Sequence, residues 1–182
     1  MPRWFAFLRA VNVGGRVVKM DELRSLFERL EFTDVETFIA SGNVAFESAS
    51  RKAEPLERMI ERALEGALGY EVATFVRNGA ELAAVARQRP FPAGSLAAAH
   101  NLNVGFLATP PDAAAQKRVA ALRSEVDDLV FMGRELYWLL AVPQSETKLT
   151  NARLERALGQ PVTFRGLRTI ERLATKYALL DG

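Results

Sequence analysis

The order of strand and helix patterns constrains the fold of this chain more than any single residue does. Apolar runs bounded by turn residues predict four strands, over 4–11, 35–40, 44–47 and 71–77. Apolar residues at helical spacing predict two helices, over 21–30 and 55–68. The resulting order, β-α-β-β-α-β, is that of a split βαβ or ferredoxin-like unit.

The same order of patterns recurs in the second half of the chain. Strands are predicted over 102–108, 129–132, 135–142 and 162–165, and helices over 112–124, 151–158 and 169–177. A helix over 80–87 and a Pro- and Gly-bearing stretch separate the two sets. We therefore expect an α+β chain of two tandem ferredoxin-like units with mainly antiparallel sheets. Residues 1–89 form the first unit and its connecting helix, 90–100 a linker and 101–182 the second unit, as separate pieces or as one compact domain.

Composition excludes several kinds of site. The 182 residues include no cysteine and one histidine, His100, so disulfides, thiolate nucleophiles, a Ser-His-Asp triad and zinc sites with several histidines are not expected. A net charge of +2 is too small to predict a nucleic-acid partner by itself. No apolar run approaches the roughly 18 residues that span a bilayer, and no leader pattern is present. We expect a cytoplasmic protein with no membrane partner, no metal and no cofactor.

Polar residues and glycines collect at two points of the first predicted unit. The end of the first strand and the segment after it contain Arg9, Asn12, Gly14, Gly15 and Lys19, and a turn between the next two strands contains Ser41, Gly42 and Asn43. In a ferredoxin-like sheet these points share one edge with the start of the first helix. Gly42 is expected to supply the positive φ of the turn. Helix N–H groups, glycine amides and cationic side chains together suit a phosphate or a carboxylate.

A structural interpretation of the same residues stays open. Asn12 and Asn43 can bond the loop backbone, the glycines can turn the chain, and Asp21 can satisfy the helix N–H groups and repel an anion. The segment is neither a Walker loop nor a G-x-G-x-x-G motif, so it predicts no nucleotide.

Two cations of the second predicted unit are further candidates for an anionic ligand. Lys148 lies in the polar stretch 144–151, and Arg165 lies in the last strand. Ser145 and Lys148 have the S-x-x-K spacing of some acyl-transfer enzymes, but the partner motifs K-T-G and S-D-N are missing from the sequence. Helix capping by Thr147, Thr150 or Asn151 is the simpler interpretation of this stretch.

The leading hypothesis is a cytosolic domain that binds a small anionic or phosphorylated ligand at the corner of Arg9, Lys19 and Asn43. One alternative is single-stranded nucleic-acid binding, in which Phe5 and Phe7 would stack on bases, although no RNP1 string is present. Another is a structural or interaction protein without catalytic activity. An enzyme would need two titratable groups in one cleft, and the sequence identifies no such pair.

The motifs at the corner resemble a known family. Leu8-Arg9-Ala10-Val11-Asn12-Val13-Gly14-Gly15 and Ala40-Ser41-Gly42-Asn43-Val44 are similar to L-R-G-I-N-V-G-G and Q-S-G-N-V of the bacterial domain-of-unknown-function 1697 family. Stretches 90–92 and 148–151 match later landmarks of that family. Where the family reads T-x-R-N-W-x-T, this chain has Gly166 and Leu167 in place of Asn and Trp. The resemblance implies an α+β fold with ferredoxin-like units and implies no established activity. It draws attention to Arg9, Asn12, Gly14, Gly15, Ser41, Gly42 and Asn43.

Overall fold

The computed structural model describes residues 1–12 and 14–181, without the side chains of Ala40 and Ser41. Within these residues the strands are β1 (Arg3–Leu8), β2 (Thr33–Phe38), β3 (Ala40–Glu47), β4 (Thr74–Asn78), β5 (Asn101–Phe106), β6 (Asp127–Met132), β7 (Glu135–Leu140) and β8 (Thr163–Gly166). The α-helices are α1 (Met20–Arg29), α2 (Ala53–Leu68), α3 (Gly79–Arg87), α4 (Ala93–Ala98), α5 (Ala113–Ala120), α6 (Asn151–Leu158) and α7 (Leu167–Lys176). A 3₁₀ turn covers Gln144–Glu146.

The strands form two four-stranded antiparallel sheets with the same topology. Their orders are β2-β3-β1-β4 and β6-β7-β5-β8. In each sheet the first strand of the βαββαβ sequence is central and pairs antiparallel with the third and fourth strands. The prediction of two tandem split βαβ units with antiparallel sheets is therefore confirmed.

Each sheet packs its own pair of helices on one face. In the first, apolar residues of α1 and α2 share a core with alternate residues of the strands, including Phe27, Phe46, Ile60 and Val76. In the second, α5 and α6 share a core with the strands, including Val119, Leu136, Trp138 and Leu154. Burial of these helical stripes explains why the 3.6-residue periodicity was a good guide to the helices.

The chain divides into two compact units that do not follow the predicted boundaries. Unit 1 contains Met1–Ala84 and Arg172–Gly182, and unit 2 contains Val85–Glu171. The stretch predicted as a linker, 90–100, contains α4 and belongs to unit 2. Whether 1–89 and 101–182 behave as separate domains stays a prediction.

The C-terminal segment is tied to unit 1 by a polar cluster on β2. The Tyr177 hydroxyl donates to Glu36 Oε2 at 2.8 Å, and Lys176 forms an ion pair with the same carboxylate. These two hydrogen bonds lower the pKa of Glu36, the one from Lys176 more than the one from Tyr177. The Tyr177 ring also packs edge-on against Phe5. Residues 172–182 are thus part of the first unit although they follow the second in the chain.

Helix ends agree closely with the sequence signals. Asp112 accepts the Ala115 N–H at 2.7 Å at the start of α5, and Thr150 accepts the Arg153 N–H at 3.2 Å at the start of α6. Gly69 and Gly159 end α2 and α6 in the left-handed conformation, with φ of 79° and 72°. These interactions are local, so the sequence alone is enough to predict them.

The turn between β2 and β3 is placed differently from the prediction. The strands meet at Ile39, which takes a φ of 62°, while Gly42 lies inside β3. The register opposes Phe38 to Ala40, so one residue turns the chain. The prediction that Gly42 supplies the positive φ is therefore wrong. The positive φ falls on a β-branched residue, for which that conformation is strained.

Carboxylates from the helices cover the outer N–H groups of both edge strands. Glu57 and Glu61, one turn apart on α2, accept the N–H groups of Val76 and Thr74, both at 2.9 Å. Alternate residues of a strand point the same way, so two carboxylates at i, i+4 match two N–H groups at i, i+2. In the other unit, Glu155 of α6 accepts the Val162 N–H beside β8 at 3.1 Å. These bonds satisfy donors that an edge strand otherwise leaves unpaired.

We predict that Glu57→Ala lowers the free energy of unfolding by about 1–3 kcal/mol, because it leaves the buried Val76 N–H without its acceptor. Denaturant unfolding measures the change. Glu65→Ala, an exposed carboxylate on the same helix, is the matched control and should stay within about 0.5 kcal/mol of the wild type. Equal losses for both variants would contradict the role of Glu57.

We also predict that Gly105→Ala destabilises the protein by about 1–3 kcal/mol through overpacking. A Cβ on this β5 residue would lie 2.7 Å from Phe164 Cε1 and 2.8 Å from Val162 Cγ2. Gly66→Ala is the control, because its Cβ meets nothing within 4 Å in the last turn of α2, and it should be at least as stable as the wild type. Thermal or denaturant unfolding of both variants checks the prediction, which fails if Gly105→Ala is as stable as the wild type.

Candidate functional site

The segment between β1 and α1 is a braced loop. Its first residue continues the sheet, because the Arg9 N–H donates to Ala73 O at 2.9 Å. Asn12 closes the loop from within by accepting the Val18 N–H on its Oδ1 at 2.7 Å. Asn12 therefore has the structural role that the sequence left open for it.

Tyr70 braces the same loop from outside and was not identified from the sequence. Its hydroxyl donates to Val11 O at 2.7 Å, and the guanidinium of Arg16 lies over its ring at 4.3 Å from the centroid. Tyr70 follows the Gly69 end of α2, 59 residues from Val11. No local pattern connects positions so far apart, so the sequence carries no signal for this contact.

The two glycines make the loop surface open to solvent. Gly14 and Gly15 have φ of 64° and 79°, and a Cβ built on either would meet nothing within 4 Å. Ala10 also takes a positive φ, 53°. The loop thus needs glycine for its backbone conformation, and it leaves room above the glycine backbone for another molecule. Val13, between Asn12 and Gly14, lies outside the described residues.

The first helix of unit 1 begins differently from its counterpart in unit 2. Lys19 is the N-cap of α1 and makes no side-chain cap, whereas Asp112 caps α5. Asp21, which the sequence offered as an internal partner for the α1 N–H groups, bonds Arg24 instead, at 3.2 Å. The start of α1 therefore has the exposed Lys19 where α5 has its own capping carboxylate, and the exposed Asp21 and Glu22 follow in the first turn.

The predicted turn residues lie at the same sheet edge as this loop. Asn43 of β3 is paired with Phe7, next to the end of β1. Its side chain is 3% exposed and donates to Phe38 O at 3.0 Å, so it holds the β2–β3 hairpin together. The backbone of Ser41 belongs to β3, and its side chain lies outside the described residues. Of the predicted site residues, Arg9, Gly14, Gly15 and Lys19 remain as candidates for contact with a ligand.

Lys148 and Arg165 belong to unit 2 and not to the unit that contains the loop. Lys148 is exposed and lines a cavity of about 450 Å³ together with Arg123 and Arg153. Arg165 is half-buried on β8, where its Nη1 donates to Thr163 Oγ1 at 2.8 Å and to Phe164 O at 2.9 Å. Burial lowers the pKa of Arg165 to about 10.

Asp127 explains much of the polar stretch near Lys148. This carboxylate is 4% exposed and accepts hydrogen bonds from Trp138 Nε1 at 2.9 Å, Ser124 Oγ at 2.8 Å and Thr147 Oγ1 at 2.7 Å. A buried carboxylate with three donors is well satisfied and anchors the 3₁₀ turn to β6 and β7. The stretch 144–151 thus has a structural role around Asp127 and Thr150.

The aromatic rings of the first sheet are not accessible to bases. Phe5 is 1% exposed and Phe7 is fully buried. Domains that bind single-stranded RNA on a sheet need such rings at the surface. This arrangement does not favour the single-stranded nucleic-acid alternative.

Two further features concern metals and membranes. Across residues 1–12 and 14–181, no group of three or more His, Asp or Glu side chains is placed to hold a metal ion. No helix in the described part of the chain has the length and apolar character to cross a membrane.

Comparisons with known proteins establish the family and the fold. The structure of the conserved bacterial protein SP0830 from Streptococcus pneumoniae is similar to this chain, with a TM-score of 0.71 and 22% sequence identity, and the match covers 98% of each chain. At this identity the likeness concerns the fold alone. No curated protein matches the chain significantly. The model of the family described as "Protein of unknown function (DUF1697)" matches residues 1–137. With three quarters of its length matched and the sequence motifs at the β1–α1 loop in place, the chain belongs to the DUF1697 family.

Proposed function

We propose that this protein is a cytosolic binding protein for a small anionic ligand, phosphorylated or carboxylated, which it holds at the β1–α1 loop. The observation that carries the proposal is the charge of this loop. Residues 9–19 include Arg9, Arg16 and Lys19 and no carboxylate. Cations concentrated in one short segment attract an anion more strongly than the same charges dispersed over a surface.

The backbone of the loop adds to this support. Amide groups near glycines of positive φ can approach an anion closely, and the first N–H groups of a helix point toward one. Gly14 and Gly15 supply the first feature, and the uncapped start of α1 supplies the second. Because Asn12 and Tyr70 already brace the loop, little conformational entropy is lost when a ligand binds.

The cytosolic location is part of the same proposal. The chain has no cysteine, a composition that does not depend on an oxidising compartment.

We predict that a binding anion raises the melting temperature of the wild type, and that Arg9→Gln and Lys19→Gln each weaken its binding about tenfold or more. A charge-assisted hydrogen bond of about 1.5–3 kcal/mol corresponds to that loss. Thermal-shift screening with inorganic phosphate, pyrophosphate, phosphate monoesters and di- and tricarboxylates provides the measurement. Binding at a hundredfold excess over Kd stabilises the native state by about 2.7 kcal/mol.

Lys52→Gln is the matched control. Lys52 is the N-cap of α2, which also begins without a side-chain cap. It follows the end of β3, which pairs with the start of β1, so it lies at the other end of these strands from the loop. It should bind the same anion as the wild type does. The proposal is overturned if no anion in the screen shifts the wild type, or if Lys52→Gln loses as much binding as Lys19→Gln.

A further inference from the structure

The two units have the same topology but opposite charge on their helices. In unit 1, α1 and α2 carry seven carboxylates and four arginines, a net charge of −3. In unit 2, α5 and α6 carry four cations and one carboxylate, a net charge of +3. Counted over the whole units, the net charge is −1 for unit 1, with 13 Lys and Arg and 14 Asp and Glu, and +3 for unit 2, with 11 and 8, so the contrast is concentrated in these four helices.

Six cations of unit 2 lie on α5, on α6 and on the segments that adjoin them, and we call this set the α5–α6 face. It comprises Lys117, Arg118, Arg123, Lys148, Arg153 and Arg156, all of them exposed. Arg118 joins the two helices, because its Nε donates to Ala157 O of α6 at 2.8 Å. Arg123, Lys148 and Arg153 meet around the cavity of about 450 Å³ at one end of the face.

The carboxylates near this face are mostly engaged elsewhere. Glu155 accepts the Val162 N–H, Asp112 caps α5, and Asp127 is buried among its three donors. Arg123 forms an ion pair with Asp128, with 3.4 Å between Nε and Oδ1. The other five cations of the face form no ion pair among the described residues. Glu125 and Glu146 are exposed at the cavity end only. Around Lys117, Arg118 and Arg156 the exposed charged side chains of α5 and α6 are all cations, and Glu155, which keeps its negative charge, is half-buried.

We propose that the α5–α6 face binds a nucleic-acid duplex through its phosphate backbone. Regularly spaced phosphates complement a row of cations on two packed helices, and backbone contacts of this kind are independent of sequence. Every Phe, Tyr and Trp side chain of unit 2 is buried or half-buried, so the face lacks an exposed ring of these residues on which the bases of a single strand would stack. A duplex, which presents its phosphates and keeps its bases paired, is the nucleic acid that fits this surface.

The test is the binding of a short fluorescent DNA duplex over about 50–200 mM salt, measured by anisotropy. Six phosphate contacts give a slope of log K against log salt of about −5, at about −0.9 per contact. The double variant Lys117→Gln/Arg156→Gln removes two exposed cations whose side chains make no hydrogen bond or ion pair among the described residues, and it should reduce the slope by about 2. Its melting temperature, measured beside the wild type, shows that the fold is intact.

The matched control is Arg58→Gln/Arg62→Gln on α2, the helix that occupies in unit 1 the place of α6 in unit 2. This double variant should bind the duplex like the wild type. Lys19→Gln should also bind normally, which separates this surface from the loop of the proposed function. The proposal is overturned if no duplex binds at low salt, if the slope is unchanged in the Lys117/Arg156 variant, or if a single strand binds more tightly than the duplex. It is also overturned if polyglutamate displaces the fluorescent duplex as well as unlabelled duplex does, a result that would assign the face to an acidic protein.

Discussion

The hydrogen bonds between helix carboxylates and edge-strand N–H groups set the arrangement on which both units depend. A four-stranded sheet with the order β2-β3-β1-β4 leaves β4 with one row of unpaired backbone groups, and the second sheet leaves β8 in the same position. Glu57 and Glu61 accept two N–H groups of β4, and Glu155 accepts the N–H of Val162, the residue before β8, from helices of the same units. Such bonds fix both the position of the helix and its rotation about its axis, because a carboxylate reaches the strand from one helical face only. The apolar stripes of α2 and α6 are then directed at the cores.

This shared framework leaves the surfaces free to differ. The loops that follow β1 and β5 occupy equivalent places, yet one is cationic and glycine-containing while the other ends in Pro110-Pro111-Asp112 and caps its own helix. The helices of one unit are acidic and those of the other are basic. Charges at solvent-exposed positions contribute little to the stability of a fold, so they can change without disturbing the cores beneath them. The two proposed binding surfaces use this freedom in different ways.

The fold was largely predictable because its signals are local. The caps at Asp112 and Thr150, the helix ends at Gly69 and Gly159 and the apolar periodicity of the helices all act within one or two turns of chain. Errors arose where a tertiary contact decides the conformation. Gly42 was expected to turn the chain, but the pairing of Phe38 with Ala40 places the turn at Ile39, and the Asn43 side chain bonds Phe38 O across it. Glu57 of α2 is buried and accepts the Val76 N–H of β4, a contact between distant residues that no local pattern predicts.

For the candidate site, the sequence by itself determined the chemistry of the loop: its cations, its glycines and its place between a buried strand and a helix. It also determined the order of elements that brings Asn43 to the same sheet edge. Only the tertiary structure decided which residues brace the loop and which remain exposed. The roles of Asn12, Asn43 and Tyr70 follow from the backbone atoms to which their side chains are hydrogen-bonded, and the residues next to them in the sequence do not reveal these partners. The grouping of cations into the α5–α6 face was likewise decided by packing. Residues 117–123 and 148–156 are far apart in the chain, and they meet because α5 and α6 must cover one hydrophobic core.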